Sequence, residues 1–208
     1  MRKLALILVA VLLLGTLAGC KEEKAPNFHI DNYSVHLVIP EGWTQVEQPG
    51  YDLRLDNGDA HVAFRIYNML LDFDEGLGEP IPTLDEIYDQ NIAGLRITEP
   101  GQPKKENWRE VEKAKTFKSG ETEISTTLYA AEVSGKTRQY LCCKVDFHND
   151  AEIVGFVVFM GDEAFMKQNR NTFETILKDM TCDASRVTPE DLAVAESIAM
   201  DELEKQGK

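Results

Sequence analysis

A cysteine thiol can be acylated, oxidised or bound to a metal ion, and the chain has four cysteines. Cys20 differs from the other three in its position. Arg2 and Lys3 precede an uncharged apolar segment, Leu4–Leu14, and small residues then lead to Cys20. A positive, an apolar and a small-residue region in this order are typical of a secretory signal peptide. A transmembrane helix needs about 20 apolar residues. Here the apolar run stops at Cys20 and charged residues follow at once from Lys21, so a signal peptide is the preferred interpretation.

The residues Leu17, Ala18, Gly19 and Cys20 resemble the lipobox of bacterial lipoproteins. The resemblance implies acylation of the Cys20 sulfur, with palmitate as a typical acyl group, and cleavage directly before this residue. Two or three acyl chains hold a protein stably on a membrane. We therefore expect residues 1–19 to be a signal peptide and the protein to lie on the extracytoplasmic face of the cell membrane. In a cell with two membranes, Lys21 is compatible with sorting to the outer membrane.

The remaining cysteines, Cys142, Cys143 and Cys182, leave two main alternatives open. Adjacent residues of a strand point to opposite faces, so either Cys142 or Cys143, but not both, can reach Cys182. A disulfide of this kind would stabilise the fold by roughly 3 kcal/mol. Alternatively, all three are buried free thiols that pack as small apolar side chains. A redox role is disfavoured, because the sequence lacks a Cys-x-x-Cys motif.

The sequence contains no pattern that assigns a catalytic residue, a cofactor or a metal ion. The nucleophile pattern Gly-x-Ser-x-Gly is absent. Ser134–Thr137 ends like a phosphate-binding loop, but Ala130 stands where that loop requires a glycine, so we expect a hairpin turn. The four histidines lack the spacing of a zinc site. They are His29, His36, His61 and His148.

Two further groups of residues have a ligand-binding interpretation and a simpler one. Asp72–Gly76 and Asp146–Asp150 contain oxygen ligands for Ca²⁺, but neither has the five or more spaced ligands of an EF-type loop. We interpret both as solvated turns. The aromatic residues form either part of a ligand pocket or ordinary packing, and packing is the simpler interpretation. They are Trp43, Tyr51, Tyr67 and Trp108.

The charge of the chain restricts its partners. It has 36 acidic and 22 basic residues, a formal net charge of −14 at pH 7. Loss of residues 1–19 removes Arg2 and Lys3 and no acidic residue, which changes the charge to −16. Such a surface repels nucleic acid phosphates and anionic lipids. Nucleic acid is therefore not an expected partner, and the acyl chains must provide membrane attachment.

Alternating apolar residues predict strands in two regions. Tyr33–Ile39 is predicted as the first strand. Asn57-Gly58, a preferred pair for type I′ turns, predicts a hairpin in which Leu55 pairs with Ala60. From about 111 to 160 the pattern is a strand meander, with turns at Ser134-Gly135 and Asn149-Asp150. These turns place Cys143 opposite Thr126 on one side and Phe156 on the other.

Three helices are predicted from caps and apolar stripes. Thr83 and Glu86 form a capping box for the first helix. Asp162 caps the second, which the segment 169–171 interrupts. The third covers 187–206; its apolar residues are few and small, so it either lies loosely on the domain or needs a partner.

The order of elements, with Ile39-Pro40-Glu41-Gly42-Trp43 after the first strand and Phe173-x-x-Ile176-Leu177-Lys178 in the second helix, resembles the PsbP/Mog-type α-β-α sandwich. The resemblance covers about residues 33–182. It implies an α+β fold, an antiparallel sheet with helices on both faces, and a non-enzymatic binding or assembly role. We therefore divide the chain into a signal peptide (1–19), the acylated cysteine and tether (20–32), the α/β domain (33–183) and a C-terminal helix (187–206).

The expected function is that of a lipid-anchored extracytoplasmic domain that binds an envelope protein or a small ligand without catalysis. Two alternatives differ in class. One is an envelope hydrolase whose acidic residues come together from distant loops, which a single sequence does not reveal. The other is a small solute-binding lipoprotein, although the chain is short for two lobes.

Overall fold

The structure is a computed structural model that describes residues 25–70, 72–73, 80–98 and 102–184. Residues 1–19, Cys20 and the helix predicted for 187–206 lie outside this range. Among the described residues, no helix is both long enough and apolar enough to cross a membrane.

The described part of the chain contains ten strands, three α-helices and a short 3₁₀ helix, Asp31–Tyr33. The strands are β1 (Phe28–Ile30), β2 (Val35–Leu37), β3 (Thr44–Gln45), β4 (Leu53–Asn57), β5 (Ala60–Asn68), β6 (Lys105–Ser119), β7 (Thr122–Val133), β8 (Lys136–Asp146), β9 (Ile153–Asp162) and β10 (Thr181–Cys182). The helices are α1 (Leu84–Arg96), α2 (Glu163–Gln168) and α3 (Arg170–Lys178).

Seven strands form one antiparallel sheet in the order β3-β4-β5-β9-β8-β7-β6, and β1, β2 and β10 form a small second sheet. Helix α1 packs on one face of the large sheet, where Ile92 and Leu95 contact a cluster that includes Phe156 and Val158. Helices α2 and α3 and the small sheet cover the other face, around Phe159. The predicted α+β fold, with helices on both faces of an antiparallel sheet, is confirmed.

Several local predictions are confirmed by hydrogen bonds. Thr83 and Glu86 form the capping box of α1, with Thr83 accepting from the Glu86 N–H at 3.2 Å. Asp162 accepts from the Phe165 N–H at 2.7 Å and caps α2. Asn169 separates α2 from α3, as expected for the interrupted second helix. The Ser134-Gly135 hairpin has φ angles of 53° and 75°, typical of a type I′ turn.

The first hairpin differs from its prediction by two residues in register. Asn57 pairs with Ala60 and Leu55 pairs with Val62, so the turn residues are Gly58 and Asp59. Gly58 has a φ of +59° and Asp59 is not in the left-handed region, an arrangement in which glycine takes the first central position. Because strands alternate with period two, a two-residue shift leaves every side chain on its predicted face.

The connection between β8 and β9 was predicted incorrectly. The sequence predicts a tight turn at Asn149-Asp150, whereas the structure has a six-residue loop that pairs Cys143 with Val157 instead of Phe156. The Asn149 side chain accepts from the Ile153 N–H at 3.0 Å and stabilises this longer loop. The one-residue difference places Phe156 on the α1 face of the sheet.

The ordered fold also begins before the predicted strand. Phe28–Ile30, within the predicted tether of residues 20–32, forms β1 and pairs with β2. The Asn27 side chain fixes the entry to this strand: its Nδ2 donates to the Ile39 carbonyl and its Oδ1 accepts from the Ile39 N–H, each at 2.8 Å. Tyr33 lies in the 3₁₀ helix, which shortens the predicted Tyr33–Ile39 strand.

Candidate functional site

A cavity lies at the C-terminal end of α1, and we name it the α1 cavity. Its volume is about 540 Å³, within the range of about 300–1,000 Å³ usual for small-molecule sites. Three separate parts of the chain line it: residues 48–65, the end of α1 with the following turn, and the approach to β6. Val133, Tyr140 and Met160 add apolar surface from the sheet.

Arg65 of β5 is a cationic side chain that is held in place at this cavity. Its Nη1 donates to Asn91 Oδ1 at 2.8 Å, and its Nε donates to the Gly50 carbonyl. The guanidinium carbon lies 4.4 Å from the centre of the Tyr51 ring, a cation–π distance. Since these partners are all uncharged, they orient the guanidinium without neutralising its charge.

Asn91 is the buried polar residue of α1 that holds Arg65 in place. Only 5% of its surface is exposed, and its Nδ2 donates to the Ile87 carbonyl at 2.8 Å and to the Tyr67 hydroxyl at 3.0 Å. With Oδ1 occupied by Arg65, its side-chain donors and acceptor have partners. This network connects α1 to β5.

Arg54, in contrast, belongs to a charge-compensated cluster at the rim. Its Nε lies 2.8 Å from Asp56 Oδ1, and His61 Nδ1 lies at the same distance from that oxygen. Burial opposes ionisation of Asp56, but the hydrogen bonds and charges of Arg54 and His61 hold its pKa below the usual value. The positive charge of Arg54 is thus locally balanced.

Lys105 enters the cavity from the start of β6. Its Nζ donates to the Leu95 carbonyl at 2.5 Å and to the Ile97 carbonyl at 3.3 Å. Carbonyls at a helix C-terminus lack partners within the helix and carry partial negative charge, so a lysine is favourable there. Lys105 ties β6 to α1 and adds a positive charge to the cavity wall.

These residues were not predicted from the sequence. Nothing in the sequence pattern combines Arg54 with the other residues of this cavity. One signal was present in α1: Asn91 interrupts the stripe formed by Ile87 and Leu95 at helical spacing. A polar residue in such a stripe requires a buried hydrogen-bond partner, and Arg65 and Tyr67 provide it.

The structure separates the three cysteines of the domain. Cys142 lies in the cluster beneath α1, whereas Cys143 lies in the cluster on the other face, which confirms that they point in opposite directions. All three are free thiols, so the Cys182 disulfide weighed from the sequence is absent from the structure. Asn149 Nδ2 lies 3.1 Å from the Cys182 sulfur. Burial raises the pKa of the Cys142 and Cys143 thiols.

The four aromatic residues do not form one cluster. Tyr51, Tyr67 and Trp108 pack against the α1 face of the sheet, whereas Trp43 packs on the opposite face beside Phe165. Of the four, Tyr51 lines the α1 cavity. Burial raises its pKa, with the nearby positive charge of Arg65 acting in the opposite direction.

The acidic segments and histidines have structural contacts. Asp72 accepts from the Tyr33 hydroxyl at 3.2 Å, and Asp146 accepts from the His148 N–H at 2.8 Å. His29 and His36 face each other across β1 and β2, with their Nδ1 atoms 2.8 Å apart. Within residues 25–184 as described, no three histidine, cysteine or acidic side chains are arranged to hold a metal ion. The lipobox residues 17–20 lie outside the described range.

Comparisons with known proteins identify the fold but not a family. No protein-family model and no curated protein sequence matches the chain. Cyanobacterial PsbP from Synechocystis is 14% identical with a TM-score of 0.52, over 80% of this chain and 99% of that one.

Two further solved structures match with lower scores. LpqN, described as involved in cell envelope biogenesis of Mycobacterium tuberculosis, is 13% identical with a TM-score of 0.49, over 76% of this chain and 89% of that one. The Ran-binding protein Mog1p of Saccharomyces cerevisiae is 10% identical with a TM-score of 0.45, over 75% and 95%. The match to cyanobacterial PsbP shows that the fold of this chain is PsbP-like, and at 14% identity the likeness extends to the fold alone.

Proposed function

We propose that the protein is a lipid-anchored, extracytoplasmic binding domain that holds a small ligand in the α1 cavity and does not catalyse a reaction. The observation that carries the proposal is the cavity itself: about 540 Å³, with an apolar wall and a few fixed polar groups. Sites of this composition are typical of small-molecule binding.

The anchor is part of this proposal. The Leu17–Cys20 motif would direct acylation of Cys20 and cleavage of residues 1–19 from the chain. The domain would then lie on the outer face of the cell membrane, or on the outer membrane of a two-membrane cell. Residues 21–26 would then connect the acyl group to β1. An envelope protein as partner would use the predicted helix 187–206.

The hydrolase alternative requires two carboxyl groups that flank a substrate. The described residues that line the α1 cavity include no aspartate or glutamate. A smaller depression of about 210 Å³ does contain Asp85, Glu123 and Asp146, and there Lys144 forms an ion pair with Asp85. No feature of that depression favours catalysis over a solvated, ion-paired surface, so binding is the proposed function.

Gly94 allows a test in which the cavity is filled without disturbing the fold. This helical residue lines the cavity, and a Cβ built on it meets no atom within 4 Å. Replacing glycine in a helix with another residue usually also removes a conformational entropy cost. Gly94→Phe should therefore occupy the cavity mouth in a folded protein. Ala93→Phe is the matched control, since Ala93 is exposed on the same helix and does not line the cavity.

The measurement is ligand-observed NMR with a mixture of small neutral and anionic aromatic compounds and the mature chain carrying Cys20→Ser. We expect at least one compound to bind the Cys20→Ser chain and the Ala93→Phe variant, and the signal to disappear with Gly94→Phe. Equal binding to both phenylalanine variants would show that the compounds bind elsewhere and would contradict the proposal.

A further inference from the structure

The charge of the α1 cavity differs in sign from that of the rest of the molecule. The chain as a whole has a formal charge of −14, but Arg54, Arg65 and Lys105 are among the residues that line the cavity. The described lining contains no acidic residue. Asp56 pairs with Arg54, and the positive charges of the cavity lining would attract a negatively charged ligand.

Arg65 is the arginine of this group that is fixed by neutral partners. The Asn91 amide, the Gly50 carbonyl and the Tyr51 ring hold the guanidinium in one orientation. Burial raises the pKa of the Asp52 carboxyl, whereas the hydrogen bond that its Oδ2 accepts from the Ile66 N–H at 2.7 Å and the positive charge of Arg65 lower it. Held by these partners, the Arg65 guanidinium has little conformational freedom left to lose when it binds a ligand.

A fixed guanidinium selects for particular ligand chemistry. Its planar fork matches the two oxygens of a carboxylate or a phosphate, and charge-assisted hydrogen bonds of this kind are about twice as strong as neutral ones. The cavity is also partly apolar, because Leu95, Val133 and Met160 line it. A ligand that uses both features has one anionic group and an apolar part.

We propose that the α1 cavity binds a small organic anion, a carboxylate or a phosphate ester with an apolar portion, and that Arg65 binds the anionic group. This inference rests on the proposed function, since it names the ligand class of the same cavity. The acidic exterior fits a ligand with a single small anionic group, because it repels polyanions such as nucleic acids.

The test uses three probes that share a benzene ring: benzoate, phenyl phosphate and neutral benzyl alcohol. Isothermal titration calorimetry with the mature Cys20→Ser chain measures the affinity of each, and the two anions distinguish a carboxylate from a phosphate site. Arg65→Gln removes the positive charge, and Arg65→Lys retains it without the planar fork. Lys113→Gln is the control, because it removes one positive charge from an exposed position of β6 outside the cavity.

We expect at least one anion to bind more tightly than benzyl alcohol, and Arg65→Gln to weaken that anion about tenfold or more. Arg65→Lys should lie between the two, and Lys113→Gln should match the Cys20→Ser chain. Circular dichroism checks that each variant is folded, and Arg65→Lys provides the comparison if Arg65→Gln is not.

Three results would overturn the inference: an anion affinity that Arg65→Gln leaves unchanged, benzyl alcohol binding as tightly as both anions, or no binding of either anion at millimolar concentrations. Failure of the proposed function has a different result. If benzyl alcohol binds and Gly94→Phe abolishes its binding, the cavity remains a ligand site and the anion inference alone is wrong. If Gly94→Phe changes no probe's affinity, the cavity is not the site.

Discussion

At the scale of single residues, two groups of buried side chains differ. Side chains of the first group have all their polar atoms hydrogen-bonded, and those of the second are thiols of low reactivity. Asn91 illustrates the first group, since each of its polar atoms has a partner and it fixes Arg65 through a 2.8 Å hydrogen bond. Cys142 and Cys143 illustrate the second, since both have no exposed surface. A thiol reacts as the thiolate, and burial in an apolar environment disfavours that form.

The thiols give a prediction at this scale. Iodoacetamide at mildly alkaline pH should modify Cys182, which is partly exposed, while Cys142 and Cys143 stay unmodified in the folded protein. Burial raises the pKa of both buried thiols, so the reactive thiolate is scarce as well as inaccessible. After unfolding without a reductant, all three should be alkylated, as measured by mass spectrometry. Two cysteines that react only after reduction would instead identify a disulfide.

Residue-level predictions from the sequence were correct where the controlling contact is local. That Cys142 and Cys143 face opposite sides follows from the two-residue period of a strand. Arg65 and Asn91, in contrast, are 26 positions apart and meet only because α1 packs on β5. A single sequence contains the signal that Asn91 is unusual, but it does not identify the partner.

At the scale of elements, caps and tight turns follow side-chain chemistry, whereas loops with several hydrogen-bonded alternatives do not. The capping box at Thr83 and the turn at Ser134-Gly135 match their predictions. The Asn57-Gly58 prediction is wrong because Gly58-Asp59 satisfies the same hairpin with a different turn. The β8–β9 loop is longer than predicted because Asn149 accepts from the Ile153 N–H.

The capping box gives a prediction for α1. Thr83→Ala removes the hydroxyl that accepts from the Glu86 N–H. Loss of an N-cap side chain costs about 1 kcal/mol, which for a domain of this size lowers the melting temperature by about 2–4 °C. Thermal unfolding followed by circular dichroism measures the change. Gln90→Ala, at an exposed position within the same helix, should leave the melting temperature almost unchanged, and an equal decrease in both variants would contradict the capping role.

At the scale of the whole molecule, the layers were predictable and the cavity was not. The order of strands and helices follows from apolar periodicity, and the PsbP-like fold agrees with it. The small sheet was missed because the alternation of Tyr33–Ile39 predicts β2 but not its partners; β1 and β10 have three and two residues, too short for a periodic pattern to be recognised. The α1 cavity is lined by residues from 48–65, from 91–98 and 102–105, and by Val133, Tyr140 and Met160 of three further strands, so its lining depends on the packed structure.

The net charge and the helices of the whole molecule bear on how the protein is held at the membrane. The negative formal charge of the chain would repel anionic lipids, and none of the helices described is suited to cross a membrane. Under the proposed function, attachment therefore depends on acylation of Cys20. Two or three acyl chains would be sufficient for stable attachment without help from the protein surface.

The most direct test of this account is the mass of the protein recovered from the membrane fraction of cells that produce it. The account predicts a chain that begins at Cys20 and carries acyl groups on this residue. Cys20→Ala should retain residues 1–19 or appear in the soluble fraction, with no added acyl mass. A wild-type chain that lacks acyl groups, or Cys20→Ala protein that still carries them, would contradict the central claim that Cys20 anchors the domain.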